Sequence, residues 1–372
     1  MPLILTEEQT MLQDAVNGIL NDHAPVSHLR ALRDSRDADG VSRDLWRQFG
    51  EMGFAGVIIP EADGGSGLGA VEAGVIAEGL GRTLTPSPYM ASAILSASVL
   101  RAAGNEAQKA WLGKIAAGEA ILSLALDEGP KHAPSRITTR AERAGNGFRL
   151  NGAKTFVLDA HVADALVVVA EADEGLSLFL VDPRTAGVTV ERTVMVDAHN
   201  AARVTLADVL VDADALIGAV GEGQGALDAA LVLGRACAAA SLVGAGDQAF
   251  RITLDYLKTR QQFGRLIGEF QALQHRAAHL FTELELARAA TLAALQAIEA
   301  GRPDAAQAAA IAKAKAGRVA ELAVQEGVQM HGGVGMTDAF DIGLYMKRVR
   351  VLNEQLGDAH FHAEYLARTG GY

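Results

Sequence analysis

Tyr256-Leu257-Lys258-Thr259-Arg260-Gln261-Gln262-Phe263-Gly264-Arg265, followed by Ile267-Gly268-Glu269-Phe270-Gln271, is the stretch that decides the architecture. It reads as the end of one helix, a glycine-centred turn and the start of the next helix. Two arginines flank the turn, and a guanidinium fork beside a glycine is well shaped to grip a pair of phosphate oxygens. On its residues alone, a solvated helix terminus fits equally well.

Beyond the turn, Phe270, Leu273, Ala277, Leu280, Phe281, Leu284, Ala287, Thr291, Leu295 and Ile298 recur at intervals of mostly three and four. That spacing predicts one apolar face of a long amphipathic helix, closed by Arg302-Pro303-Asp304. Another helix runs to about 330, Gly332-Gly333-Val334-Gly335 interrupts it, and a last helical region follows. Long helices with short connections from about 222 onward imply an antiparallel bundle of about four.

Upstream, from near 120 to about 218, the texture is different. Short apolar runs such as Leu166-Val167-Val168-Val169, Leu176-Ser177-Leu178-Phe179-Leu180-Val181 and Val188-Thr189-Val190 are separated by turn residues. Asn146-Gly147 and Asn151-Gly152 read as tight turns, so this is a β domain. Before it, residues 6 to about 118 read as helical, with Thr6 capping a first turn that carries Glu7 and Glu8. Further helices are expected near 42–52, 70–81, 88–103 and 105–117, and the run from Ile59 to Gly67 reads as a long loop.

The fold expected is mainly α with a central β domain. Its parts are an N-terminal helical domain (1–119), a middle β-barrel domain (120–220) and a C-terminal four-helix bundle (221–372). The 372 residues suit two or three domains, and the hydrophobic share of 49% supplies large cores. A net charge of −12 argues against nonspecific nucleic-acid binding, which needs clustered Lys and Arg. The single cysteine, Cys237, permits no internal disulfide and fits a reducing compartment. Met1 to Met11 carries acids and no long apolar run, so it does not read as a signal peptide. No uninterrupted apolar stretch of about 18 residues stands out, so no membrane span is expected. The expected location is cytoplasmic.

Three motifs carry a family resemblance. Arg260-x-x-Phe263-Gly264 with Phe270-Gln271 resembles the signature that acyl-CoA dehydrogenases place on the FAD of a neighbouring subunit. Gln329-Met330-His331-Gly332-Gly333-Val334-Gly335 resembles the family's Gln-x-x-Gly-Gly-x-Gly, where glycine lets backbone N–H groups approach a dinucleotide. Phe54 through Leu68, with Ile59-Pro60-Glu61 and Gly64-Gly65-Ser66-Gly67, and the helix end Glu78-Gly79-Leu80-Gly81-Arg82, are similar to the family's N-terminal domain. The resemblance spans roughly residues 5 to 365. It implies that Arg260 and Gln262 bind the FAD pyrophosphate, that Phe263 packs near the adenine end and that Gln271 hydrogen-bonds there. It implies that Gln329 through Gly333, including Gly332, face the same FAD, and that His331 lies toward the adenosine rather than acting as a base. The implied substrate is an acyl-CoA and the implied acceptor an electron-transfer flavoprotein. A homo- or hetero-oligomer follows from the shared FAD, with no nucleic acid, membrane or metal.

The departures from the family concern chemistry. Its Thr-Glu-Pro-Gly-x-Gly-Ser-Asp corresponds to Leu126 through Ser135, where only Glu128 survives. After Asn151-Gly152-Ala153-Lys154, the family's Trp-Ile-Thr is replaced by Phe156-Val157-Leu158, and Leu158 cannot donate a hydrogen bond. The reaction removes a proton α to the thioester while hydride leaves the β carbon, so it needs a base. Counting from Lys347-Arg348, the family's Glu-Gly-Thr becomes Leu356-Gly357-Asp358. The alternative position for the Glu, on an earlier helix before Arg235, holds Gly234. Asp358 and Glu354 are the remaining carboxylates nearby. Arg235 stands where the family lines its active cavity, and a structural ion pair is the competing account.

These departures favour a subunit of a heteromeric acyl-CoA dehydrogenase that lacks its own base. The ending Gly357-Asp358-x-x-x-His362 resembles the bacterial small subunits of such enzymes. The other readings are a self-sufficient homo-oligomer with a displaced base, a degenerate non-catalytic binding protein, and a flavin oxidase that uses an aspartate.

Overall fold

The computed structural model describes residues 2–372. The chain divides into two compact units. One comprises the chain up to Ala31, Gly74–Thr85 and Arg235–Tyr372, and the other Leu32–Ala73 and Pro86–Gly234.

In order, the helices are α1 (Glu7–His23), α2 (Val26–Ser35), α3 (Arg43–Glu51), α4 (Ala70–Thr83), α5 (Ala97–Ala103), α6 (Glu106–Ala116), α7 (Gln224–Thr259), α8 (Gln271–Glu299), α9 (Ala305–His331), α10 (Ile342–Glu354) and α11 (Ala359–Thr369). Thr6 caps α1 as its sequence suggests: its hydroxyl accepts from Gln9 N, and the Gln9 side chain accepts from Thr6 N. The expected helix at 88–103 exists but opens with a π-helical stretch, Tyr89–Ser96, before α5.

In the unit of Leu32–Ala73 and Pro86–Gly234, the strands are β1 (Leu122–Ala125), β2 (Arg140–Ala144), β3 (Gly147–Leu158), β4 (Ala165–Ala172), β5 (Gly175–Val181), β6 (Val188–Val194), β7 (Asn200–Val211) and β8 (Leu216–Ile217). They form one eight-stranded sheet in the order β6-β7-β3-β2-β4-β5-β8, with β1 parallel to β4. Leu150, Val157, Leu166, Val168, Phe179, Val204 and Leu206 share one core. Two turn expectations fare differently. The turn expected at Asn146-Gly147 forms one residue earlier, at Gly145 (φ +61°) and Asn146, and Gly147 already opens β3. Asn151-Gly152, expected to be a turn, instead lies inside β3 at a register shift against β7. The Asn151 amide oxygen accepts from Asp208 N across that shift, so the pair forms a bulge rather than a reversal.

In the other unit, α9 packs against α8, α10 and α11. Alanine and glycine bring helices into close approach. A Cβ at Gly81 of α4 would stand 2.1 Å from Ser241 O, and one at Gly244 of α7 2.0 Å from Glu78 O. Arg288 of α8 ties this crossing together, pairing with Glu78 and lying 3.1 Å from Asp247. The face expected for α8 is buried at Leu280, Leu284, Ala287, Thr291 and Leu295, but Phe281 points outward and is exposed. By length and composition α7 could cross a membrane, yet 83% of its most apolar window is buried inside the protein, as in a core helix.

Candidate functional site

The stretch from Arg260 to Gln271 folds as a two-stranded hairpin of β9 (Gln261–Gln262) and β10 (Arg265–Leu266), between α7 and α8. Its turn residues, Phe263 and Gly264, both have positive φ (55° and 78°), which folds the chain back on itself. Phe263 is 91% exposed, touching Phe270 edge-on, and the Arg265 guanidinium lies 4.2 Å over the Phe270 ring. Leu257, Ile267 and Met330 form a small core beneath, with Tyr256, Phe270 and Leu273 packed against it. That core joins the hairpin to the C-terminal end of α9, which carries the second motif.

There Gln329 is exposed, and Gly332 (φ +65°) and Gly333 begin a short 3₁₀ turn. A Cβ at Gly264, Gly332 or Gly333 would meet nothing within 4 Å, so their surroundings are open. His331 is buried, its Nδ1 2.7 Å from Gly327 O and its ring stacked 4.4 Å from Tyr256. Burial pushes its pKa down, so it stays neutral and Nδ1 donates to the carbonyl.

All seven residues expected to contact a cofactor, namely Arg260, Gln262, Phe263, Gln271, Gln329, Gly332 and Gly333, are exposed on this unit. Their chemistry fits a dinucleotide: a guanidinium and three side-chain amides for oxygens, an aromatic face for a base, and a glycine turn open to close approach.

The base region is built differently. The segment after α10 carries Leu356 in the left-handed conformation (φ +59°), 7% exposed, then Gly357 at φ +102°. A left-handed non-glycine residue costs about 1–2 kcal/mol, and a leucine there supplies no proton acceptor. Asp358 caps α11, accepting from His360 N (3.0 Å) and Phe361 N (2.8 Å). Glu354 pairs with Arg350 at 2.8 Å. Asp358 thus serves a helix end, and Glu354 an ion pair along α10. Gly234 is buried one residue before Arg235 in α7, and the Arg235 guanidinium lies 5.4 Å over the Phe361 ring of α11.

Sequence reasoning missed Lys313. It is 1% exposed, and its ammonium donates to the carbonyls of Leu352 (2.9 Å), Asn353 (3.2 Å) and Gly357 (3.0 Å). Burial lowers its pKa to about 7, against the opposing pull of Asp358 and Glu354, while Arg235 adds to the lowering. Its only signal in sequence was a lysine on an alanine-rich helix.

On the sheet, Glu128 is fully engaged. It accepts from Lys154 Nζ at 2.7 Å and from the backbone N–H and hydroxyl groups of Thr138 and Thr139. Burial alone would raise its pKa, but these donors outweigh it and hold the carboxyl at about 2. Asp127 likewise accepts from Ala133 N and lies 3.0 Å from His132 Nδ1. At the end of β3, Phe156 is 56% exposed with φ +52°, and Val157 is buried.

Fold and motifs together define an acyl-CoA dehydrogenase scaffold. The family models for the acyl-CoA dehydrogenase N-terminal, middle and C-terminal domains match residues 6–119, 129–209 and 221–370. The chain belongs to the acyl-CoA dehydrogenase family, whose members are FAD-binding oxidoreductases. It is 30% identical over 375 residues to the mitochondrial short/branched chain specific acyl-CoA dehydrogenase of Bos taurus, covering 98% of this chain and 85% of that protein. Among solved structures it is similar to the Tcur3481-Tcur3483 steroid ACAD G363A variant (32% identity, TM-score 0.88, 97% of both chains). It is also similar to the ChsE4-ChsE5 complex from Mycobacterium tuberculosis (28% identity, TM-score 0.91, 100% of both chains).

Proposed function

We propose that this chain is a subunit of a heteromeric acyl-CoA dehydrogenase and that it lacks the base of the desaturation. The observation that carries the reading is the contrast between two regions. The seven residues suited to a neighbour's FAD stand exposed and open, whereas the two positions suited to the base hold Leu356 and Gly234.

In this reading Arg260 and Gln262 bind the pyrophosphate of an FAD seated mainly in the partner chain. Phe263 and Gln271 lie against its adenine end, and Gln329, Gly332 and Gly333 approach it through the backbone turn. FAD, when bound, accepts the hydride that leaves the β carbon of the acyl group. A carboxylate of the partner takes the α proton, and the Cα–Cβ double bond forms from the electron pair left behind. Neither position 356 nor position 234 carries a carboxylate, and the uncharged residue at each suits a bulky acyl group. Likeness to a steroid ACAD supports that choice, and two-component relatives support the heteromer. Electrons pass on to an electron-transfer flavoprotein, and the enzyme works in the cytoplasm. The three domains are 1–119, 120–220 and 221–372.

The self-sufficient homo-oligomer needs a displaced base, whereas Asp358 caps α11 and Glu354 pairs with Arg350. The test is the visible spectrum of the purified chain alone and of the chain co-expressed with a second acyl-CoA dehydrogenase chain. A colourless single chain and a yellow, active pair are expected. Stable flavin and desaturation from this chain alone would overturn the proposal.

A further inference from the structure

The connection between α10 and α11 is held from beneath by one side chain. Leu352 and Asn353 lie in the last turn of α10, where carbonyls have no partner within the helix. Gly357 lies on the far side of residue 356. The ammonium of Lys313, projecting from α9, bonds all three carbonyls at 2.9, 3.2 and 3.0 Å and is shut off from solvent. A cation at a helix C-terminus is favourable, and here it spans Leu356, a non-glycine residue in the left-handed conformation. Asp358 fixes the opposite end by capping α11. Gly357 is pressed against that helix: a Cβ there would lie 2.4 Å from Phe361 and 3.0 Å from His362. The charged groups acting on the ammonium are Glu354 of α10, Asp358 of α11 and Arg235 of α7.

We propose that Lys313 is a positioning residue that fixes the turn carrying residue 356, so that whatever side chain stands there is presented in one orientation. The inference rests on the reading of residue 356 as the position of the family's base. It assigns the clamp beneath that position to a lysine on another helix. In this chain the clamp has a leucine in its grip, so in this reading the site lacks a base but its turn is still held.

Hydrogen exchange of the backbone from Gln355 to His362, measured on the full chain, tests this without any assay of activity. Lys313→Met keeps the volume and removes the donors, and should speed exchange in that segment roughly ten- to hundredfold. Lys313→Gln restores two N–H donors and should recover part of the protection. Equal protection in the wild type and the Met variant, or more protection with Met than with Gln, would show that the side chain only fills space and would overturn the proposal. Should the variants not fold, the wild type decides. Acylation of Lys313 by an amine-reactive reagent must then require the same opening equilibrium as exchange of Gly357 and Phe361. Labelling of Lys313 while those amides stay protected would also overturn it. Neither result depends on flavin or on a partner chain, so failure of the clamp is separable from failure of the heteromeric reading.

Discussion

The ammonium of Lys154 lies 2.7 Å from Oε1 of Glu128, and that same oxygen accepts from both the backbone and the hydroxyl of Thr139. This buried pair pins the loop after β1 to the middle of β3. The loop is the one that the family resemblance sets beside the flavin, so the surviving glutamate of that motif is a structural clamp.

Removing one partner of such a pair strands the other. Glu128→Ala is expected to destabilise the chain by about 3–5 kcal/mol in urea unfolding. The carboxyl is held at about 2, below its ordinary 4.5. Its contribution is therefore present above pH 4.5 and is lost as pH falls toward 2. Wild-type stability should decline across that window more steeply than that of Glu128→Ala. Equal slopes would mean that the pair is not formed in solution.

Arg260 is exposed and, among the described residues, makes backbone hydrogen bonds alone. Arg260→Ala should leave the thermal stability of the isolated chain within about 0.5 kcal/mol. In the co-purified complex it should weaken FAD binding roughly ten- to hundredfold, the worth of a charge-assisted hydrogen bond to phosphate. Flavin fluorescence titration reads the loss. Unchanged FAD affinity would remove Arg260 from the proposed site.

Much of this was legible in the sequence because it rests on local periodicity. The three-and-four spacing of α8 and the unbroken apolar run of β4 declare their elements without tertiary help. Asn151-Gly152 was misleading because the same dipeptide serves hairpin turns and bulges, and only pairing with Asp208, 57 residues away, distinguishes them. Phe281 keeps the helical spacing but lies just outside the buried stripe. Lys313 was invisible for a deeper reason. The carbonyls that hold it are 39 to 44 residues downstream, and a lysine on an alanine-rich helix reads as solvated. The family motifs pointed to a set of residues that prove to be exposed, yet the engagement of Asp358 as a helix cap rests on contacts that only the folded chain makes.

If position 356 is that of the family's base, as proposed, a base can be placed there. Leu356→Glu places a carboxylate where the clamp already fixes the backbone, and a positioned general base contributes about 10²- to 10⁴-fold. The complex carrying this variant should gain a second competent site wherever flavin lies opposite, read as faster acyl-CoA-dependent flavin bleaching. Leu356→Gln, similar in shape but unable to take the proton, should give no gain. An equal response to both variants would mean that position 356 does not face the acyl group.

Lys313 also leaves a signature in the pH dependence of stability. Its pKa is about 7 in the fold against an ordinary 10.5, so between these values the unfolded chain binds more protons than the folded one. Stability must then rise with pH across that window, by at most about 1.4 kcal/mol per pH unit. Other groups bound the useful range. Burial raises the pKa of Cys237 and Tyr345, so their contributions fall only above their ordinary values of 9.0 and 10.0. The depressed histidines, His161 and His331, complete their effect by about 6.5. Between pH 7 and 9, Lys313 should therefore dominate the difference between the wild type and Lys313→Met, whose unfolding free energy lacks this upward slope. Parallel curves for the two proteins would mean that the lysine keeps its ordinary pKa in the fold, so that burial does not disfavour its charged form.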